Sequence, residues 1–247
     1  MLTSFPGYGW VSSPERLAIA AAVTLGFAVL ARALRGVNRS GALAGGLACF
    51  LLFGGAGPTA FATLAVLFLM TWVATRLGYR RKLALGLAER KEGRNALQIL
   101  ANLGVAAFGS VVFSATGNRA WLIAALAALA EAATDTVASE IGQYRGPDAR
   151  LITTWEHVAP GTDGGITVPG SIAGLAAGLA IAAVATVGGM LPQAQLWIPV
   201  ATGFAGMLID SILGATLQRR GWISNEAVNF FATLAAAALA YGVLMFT

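Results

Sequence analysis

An all-α, polytopic transmembrane bundle of about eight helices is the fold class this sequence predicts, on three observations. Hydrophobic residues make up 57% of the 247 residues and charged residues 11%, with a mean hydropathy of +0.73. That leaves too little polar side chain to cover a soluble protein of this length. Apolar stretches near the roughly 20 residues that a spanning helix needs recur along the whole chain. Once eight spans are drawn, all of the 16 Lys and Arg except Arg16 and Arg119 fall on one side. Cytoplasmic loops collect Lys and Arg, so this bias predicts the side as well as the count, with both termini outside. The net charge of +5 and the pI near 10 then follow from topology, and no nucleic-acid partner is expected.

The spans are expected at residues 15–34, 40–56, 58–78, 95–115, 119–141, 170–190, 196–217 and 223–246, in a single membrane domain covering 1–247. No basic n-region or small-residue cleavage site precedes the first, which is therefore expected to act as the anchor. The second is short and Gly-rich, carries the lone Cys49 as apolar packing, and is divided from the third by Gly57 and Pro58. A polar inner connection, residues 79–94, follows the third. The fourth opens with Asn95, Gln98 and Asn102 on one face, and the fifth ends in Asp135-Thr-Val-Ala-Ser139-Glu140-Ile-Gly142. A second inner connection, 142–169, holds Gly161-Thr162-Asp163-Gly164-Gly165 and the single histidine, His157, read as structural or solvated. The seventh span carries Asp210, and the eighth opens with Asn225, Glu226 and Asn229. Short similarities at Ser40 and Ser171, and at Arg94 and Ser224, point to parallel half-repeats over 15–115 and 119–246, although recurring Ala, Gly and Leu in small-residue helices explains them equally well.

Asp135 and Ser139 are four residues apart, as are Glu131 and Asp135, so all three share a helix face. If Gly142 ends the fifth span, Asp135 lies roughly 10 Å inside it, and Asp210 is roughly 12 Å from Gln218. A carboxylate that deep costs about 2.5–3.5 kcal/mol to insert, so intramembrane acids usually face a bundle interior and act there. Asn102 and Asn229 reach roughly 9–12 Å, so four helices bring polar groups to one layer. Glu131, roughly 16 Å in, is read as a protonated group away from the reaction.

Carboxylates and amides beneath a basic rim suit Mg²⁺ carrying phosphates, because Mg²⁺ takes one or two carboxylates plus phosphate oxygens and waters. Asp135 and Asp210 are the expected metal ligands, with Glu140 and Asp163 in reserve. Lys82, Lys91, Arg94, Arg145 and Arg150 are candidates for phosphate contacts. The 161–165 loop can offer main-chain donors to a phosphate. Each feature also has a plain structural explanation: helix–helix hydrogen bonding for the acids and amides, topology for the cations, and a helix connection for the glycines. One histidine excludes a multi-His metal site.

The segments SGALAG with Arg39 before it, KEGRNALQILAN (Lys91 to Asn102), DTVASEIG, LITTWEHVAPGTDGGIT (Leu151 to Thr167), IDSILGATLQ (Ile209 to Gln218) and SNEAVNF (Ser224 to Phe230) resemble, in the same order, the integral-membrane family called domain of unknown function 92. Val137 and Asp163 stand where that pattern has Trp and Asn. The family has a characterised plant member that is a phytyl-phosphate kinase. The resemblance therefore implies phosphoryl transfer from a nucleoside triphosphate to a prenyl monophosphate, giving the diphosphate. DTVASEIG is also similar to segments of membrane polyisoprenol kinases and cytidylyltransferases, which favours CTP. On this reading Asp135, Asp210, Arg94 and Lys91 are catalytic. Ser139, Glu140, Asn95, Gln98, Asn102, Gly161, Thr162, Asp163, Gly164, Gly165, Gln218, Asn225 and Asn229 bind nucleotide and phosphates. The protein is expected in the cell's inner membrane with its site facing the cytoplasm. The alternatives are a transporter or flippase of a phosphorylated lipid or ion, which needs polar groups reachable from both faces, and a lipid-phosphate cytidylyltransferase, which releases pyrophosphate.

Overall fold

The computed structural model describes residues 13–145 and 148–246. Its helices are α1 (Pro14–Ala33), α2 (Arg39–Ala56), α3 (Pro58–Arg76), α4 (Tyr79–Ala84), α5 (Ala96–Thr116), α6 (Arg119–Arg145), α7 (Val168–Val187), α8 (Trp197–Leu213) and α9 (Asn225–Met245). All but α4 belong to the 8 segments long and apolar enough to cross a membrane, so the expected count holds.

Local chemistry sets the boundaries. Asn38 accepts a hydrogen bond from Gly41 N (2.9 Å), Thr167 from Gly170 N (3.1 Å) and Ser224 from Ala227 N (3.3 Å), each covering a donor that a helix start leaves open. Asn95 and Gln98 close a reciprocal capping box on α5. Gly57, at φ +82°, both ends α2 and starts α3, and Pro58 follows where a missing N–H does no harm.

Helix α6 is the central post. It is 27 residues long, roughly 40 Å at 1.5 Å per residue, and it packs against α3, α5, α7, α8 and α9. Such close packing needs small residues, because in lipid the helices are held by close contact rather than by a hydrophobic drive. Gly170, Gly174 and Gly178 form the α7 seam. An ideal Cβ on Gly174 sits 2.6 Å from Thr134 O, and one on Gly178 sits 2.6 Å from Thr134 Oγ1. A similar close approach joins α2 to α5, where a Cβ on Gly55 meets Ser110 Oγ at 2.5 Å.

The structure departs from the expected elements in three places. The fifth span runs on past Gly142 to Arg145, so Asp135 lies roughly 15 Å from the helix end and not 10 Å. Part of residues 142–169 is not loop but a small antiparallel sheet, in which β1 (Ala149–Leu151) lies between β2 (His157–Val158) and β3 (Gly165–Ile166). The last turns of the seventh span, Gly214–Gln218, are π-helical, a local widening frequent at functional sites.

Candidate active site

At the end of the bundle that bears α4 and the sheet, α5, α6, α8, α9 and the 160–167 segment enclose a polar cavity of about 280 Å³. Of the residues named from the sequence, its walls include Arg94, Gln98, Asn102, Asp135, Ser139, Glu140, Asp210, Gln218, Asn225, Asn229 and all five residues from Gly161 to Gly165. The four helices expected to share a polar layer do so. With the Asn229 amide oriented as its surroundings require, nitrogen towards the acceptors, it donates to Asp210 Oδ2 at 3.1 Å and to Asn225 O at 3.3 Å. Asp210 lies within electrostatic reach of both Asp135 and Asp163, and Arg94 is the cation whose charge reaches Asp135. Burial raises the Asp163 carboxyl above the ordinary aspartate range, and the Arg219 charge offsets part of that rise.

Arg94 is held by its backbone. Arg94 N donates to Gly36 O (3.1 Å) and Arg94 O accepts from Asn38 N (2.9 Å), a parallel bridge between Val37 and Arg94. Gly41 and Gly93 permit it. A Cβ on Gly41 would sit 2.2 Å from Arg94 O, and Gly93 is at φ +84° with no room beside Gly36 and Val37. Ser40 Oγ accepts from Ala96 N (3.3 Å) in the same contact. The SGALAG and KEGRNALQ segments are therefore two halves of one clamp.

Five expectations change. Glu140, a reserve metal ligand, has Oε1 bonded to Thr75 Oγ1 (2.9 Å) and Oε2 paired with Lys82 Nζ. Lys82, a candidate for phosphate, is fully buried, with Nζ also donating to Ala74 O (3.1 Å) and Thr75 O (2.8 Å). Asn95 caps α5 and does not line the polar cavity, and Lys91 lines a neighbouring apolar one instead. In the 161–165 loop, Thr162 N and Gly165 N are already donated to Ala159 O and Thr162 O, so those two N–H groups belong to turns and not to a ligand. Of the remaining candidates, Arg150 bonds Trp155 O and His157 Nε2, both at 2.9 Å, which makes His157 part of the sheet's edge. Glu131 is 1% exposed, does not line the cavity, and has Oε1 without a hydrogen-bond partner among the described residues.

The cavity also contains residues that the sequence gave no reason to choose. Glu89 accepts from Gln98 Nε2 (3.4 Å) and faces Arg94 Nε (3.9 Å). In sequence it is lost within a basic run. Gln143 lines the cavity with a buried Oε1 that has no partner among the described residues, one residue beyond the motif that drew attention. Ser171 and Ser211 complete the hydroxyl lining.

Among the described residues, no three His, Cys, Asp or Glu side chains gather closely enough to cage a metal ion by themselves. The donor set is nevertheless all oxygen and amide, which suits a hard ion held by two carboxylates and completed by phosphate oxygens and waters.

Residues 22–237 match the family described as "Integral membrane protein DUF92". The chain belongs to this family. A relative from Synechocystis, "Uncharacterized membrane protein sll0875", is 32% identical over 198 residues, covering 78% of this chain and 77% of its own. "Uncharacterized membrane protein MJ0933" of Methanocaldococcus jannaschii is 30% identical over 222 residues, covering 89% and 90%. "Protein VTE6, chloroplastic" of Arabidopsis thaliana is 29% identical over 205 residues, covering 78% of this chain and 61% of its own. No solved structure matches the chain. The family match takes in all six segments singled out from the sequence, and every one of them contributes to the polar cavity or to the clamp behind it.

Proposed function

We propose that this protein is a Mg²⁺-dependent isoprenyl-phosphate kinase, which transfers the γ-phosphoryl group of a nucleoside triphosphate, CTP by preference, to a prenyl monophosphate in the membrane. One observation carries the reading: Asp135, Asp210 and Asp163 line one polar cavity together with Arg94, Gln98 and Asn102. Three acids sharing one cavity with a guanidinium and amides suit a metal–triphosphate complex together with an acceptor phosphate.

An oxygen of the acceptor phosphate attacks the γ-phosphorus, the bond from that phosphorus to the β–γ bridging oxygen breaks, and the nucleoside diphosphate leaves. The acceptor is already ionised at neutral pH, so no general base is needed, in keeping with a cavity lined without histidine. Asp135 and Asp210 would hold Mg²⁺, which when bound neutralises charge on the triphosphate. Asn229 fixes the Asp210 carboxylate. Arg94, anchored by its backbone to Gly36 and Asn38, presents its fork to transferring phosphate oxygens. We place the cavity on the cytoplasmic side, where nucleotide is available and where the basic loops belong.

The test is phosphoryl transfer by the purified, detergent-solubilised protein supplied with Mg²⁺, labelled CTP or ATP, and phytyl or geranylgeranyl phosphate. The prenyl diphosphate and the nucleoside diphosphate are the expected products. Asp135→Asn should abolish transfer and leave membrane insertion intact. No transfer from either nucleotide, or near-normal transfer by Asp135→Asn, overturns the assignment, and release of pyrophosphate would make the reaction cytidylyl transfer instead.

A further inference from the structure

A second cavity, of about 550 Å³, lies between α1, α2, α3 and α5. Its inner wall is apolar: Phe27, Leu64, Leu67, Phe68 and Leu103 face the half-buried Gly45 and Gly46 of α2. Phe27 stacks edge-on against Phe68 with ring centroids 5.4 Å apart, which closes one side. Towards the loop-bearing end its lining turns cationic, with Arg35, Arg76, Arg90, Lys91 and Arg94 against the single acid Glu89. The cavity shares Glu89, Arg94 and Asn102 with the polar one, so the two meet at the side chains where phosphate chemistry is expected.

We propose that this cavity seats the hydrocarbon chain of the acceptor lipid, one isoprenoid chain with its phosphate emerging at Arg94 and Asn102, and that Gly45 and Gly46 set the chain length. The assignment of the head group rests on the kinase reading; the assignment of the chain rests on the cavity. At about 550 Å³ the cavity falls within the roughly 300–1,000 Å³ of ordinary small-molecule sites, which suits a single isoprenoid chain. Depth agrees, since Leu64 lies roughly 18 Å from Arg76 along α3 at 1.5 Å per residue. The charge pattern fits the same occupant, because an apolar bore under a cationic mouth matches an anionic head on a single tail. The glycines are where length can be set. A Cβ on Gly45 meets nothing nearer than Ile99 Cγ2 at 3.9 Å, and one on Gly46 nothing nearer than Ala28 Cβ at 3.7 Å, so a larger side chain enters the bore without moving the backbone.

The test measures lipid retained by the full-length protein in detergent, without nucleotide, by native mass spectrometry, using geranyl phosphate, geranylgeranyl phosphate and dipalmitoyl phosphatidic acid. The wild type should retain geranylgeranyl phosphate in preference to the diacyl lipid. Gly45→Leu should lower retention of geranylgeranyl phosphate at least tenfold while keeping geranyl phosphate, which a misfolded protein does not do. Phe68→Ala, which widens the bore where the ring packs against Gly36, should narrow the preference for geranylgeranyl phosphate over the diacyl lipid. Equal retention of the diacyl lipid by the wild type, or a lipid preference that Gly45→Leu and Phe68→Ala leave unmoved, overturns the proposal. Transfer is assayed separately. Length-selective binding without transfer sinks the kinase and keeps the cavity, whereas transfer with a lipid preference indifferent to Gly45 and Phe68 does the reverse.

Discussion

Replacing Lys82 by methionine should unfold this protein at a markedly lower temperature by stranding the Glu140 carboxylate, with Asp135 and Asp210 left in place. Lys82 is fully buried, and its ammonium has three donors matched by three acceptors: Ala74 O, Thr75 O and Glu140 Oε2. The pair thereby ties the 79–84 helix and the end of α3 to α6. Methionine keeps the stem's volume but leaves the Glu140 carboxylate, whose side chain is 11% exposed, with only the Thr75 hydroxyl. Removing one member of a buried pair costs about 3–5 kcal/mol, because the remaining charge stays desolvated. At roughly 2–4 °C per kcal/mol for a chain of this size, the expected fall is about 6–20 °C. Glu140→Leu added to Lys82→Met removes the stranded charge and should recover much of the loss, so the two changes couple by several kcal/mol. The assay is thermal unfolding in detergent, followed by tryptophan fluorescence. A Lys82→Met protein melting with the wild type refutes the reasoning, as does a double variant that loses the full sum. If Glu140→Gln instead leaves the melting temperature alone and raises the Mg²⁺ needed for transfer, Glu140 returns to the list of metal ligands.

Two further outcomes follow from the geometry. Gly41→Ala sets a Cβ 2.2 Å from Arg94 O, so the clamp must open: we expect about 1–3 kcal/mol lost from thermal stability and transfer reduced roughly 10²-fold, and unchanged kinetics would show that Arg94 is not placed by its backbone. Asn229→Leu strips the amide donor from Asp210. A hydrogen bond to a charged group contributes about 1.5–3 kcal/mol, so transfer at limiting Mg²⁺ should fall roughly 10- to 100-fold with the melting temperature little changed, and a variant as active as wild type counts against Asp210 as a ligand.

Much of the candidate site was legible because a charged or amide side chain is out of place in an apolar helix. Asp135, Asp210, Asn102 and Asn229 stand out against Ala, Leu and Gly wherever the chain is read, and all four line one cavity. Glu89 and Glu140 were harder to judge, since an acid in a polar stretch carries no such contrast. Glu89 lies in the cavity wall beside Arg94, whereas Glu140 is bonded to Lys82, and their partners come from different elements in each case. Lys82 itself reads as an ordinary member of a basic loop until α4 folds it into the core.

The sequence by itself determined the eight spans and the helices that carry the polar groups, because span length and the energetic penalty on a buried charge are local properties of the chain. The tertiary structure decided what those groups touch: that Gly41 and Gly93 exist to let Arg94 lie against Val37, that Lys82 neutralises Glu140, and that an apolar bore meets the polar cavity at Arg94 and Asn102. Each joins residues far apart in sequence, and no spacing rule along a single helix reports a contact made by another.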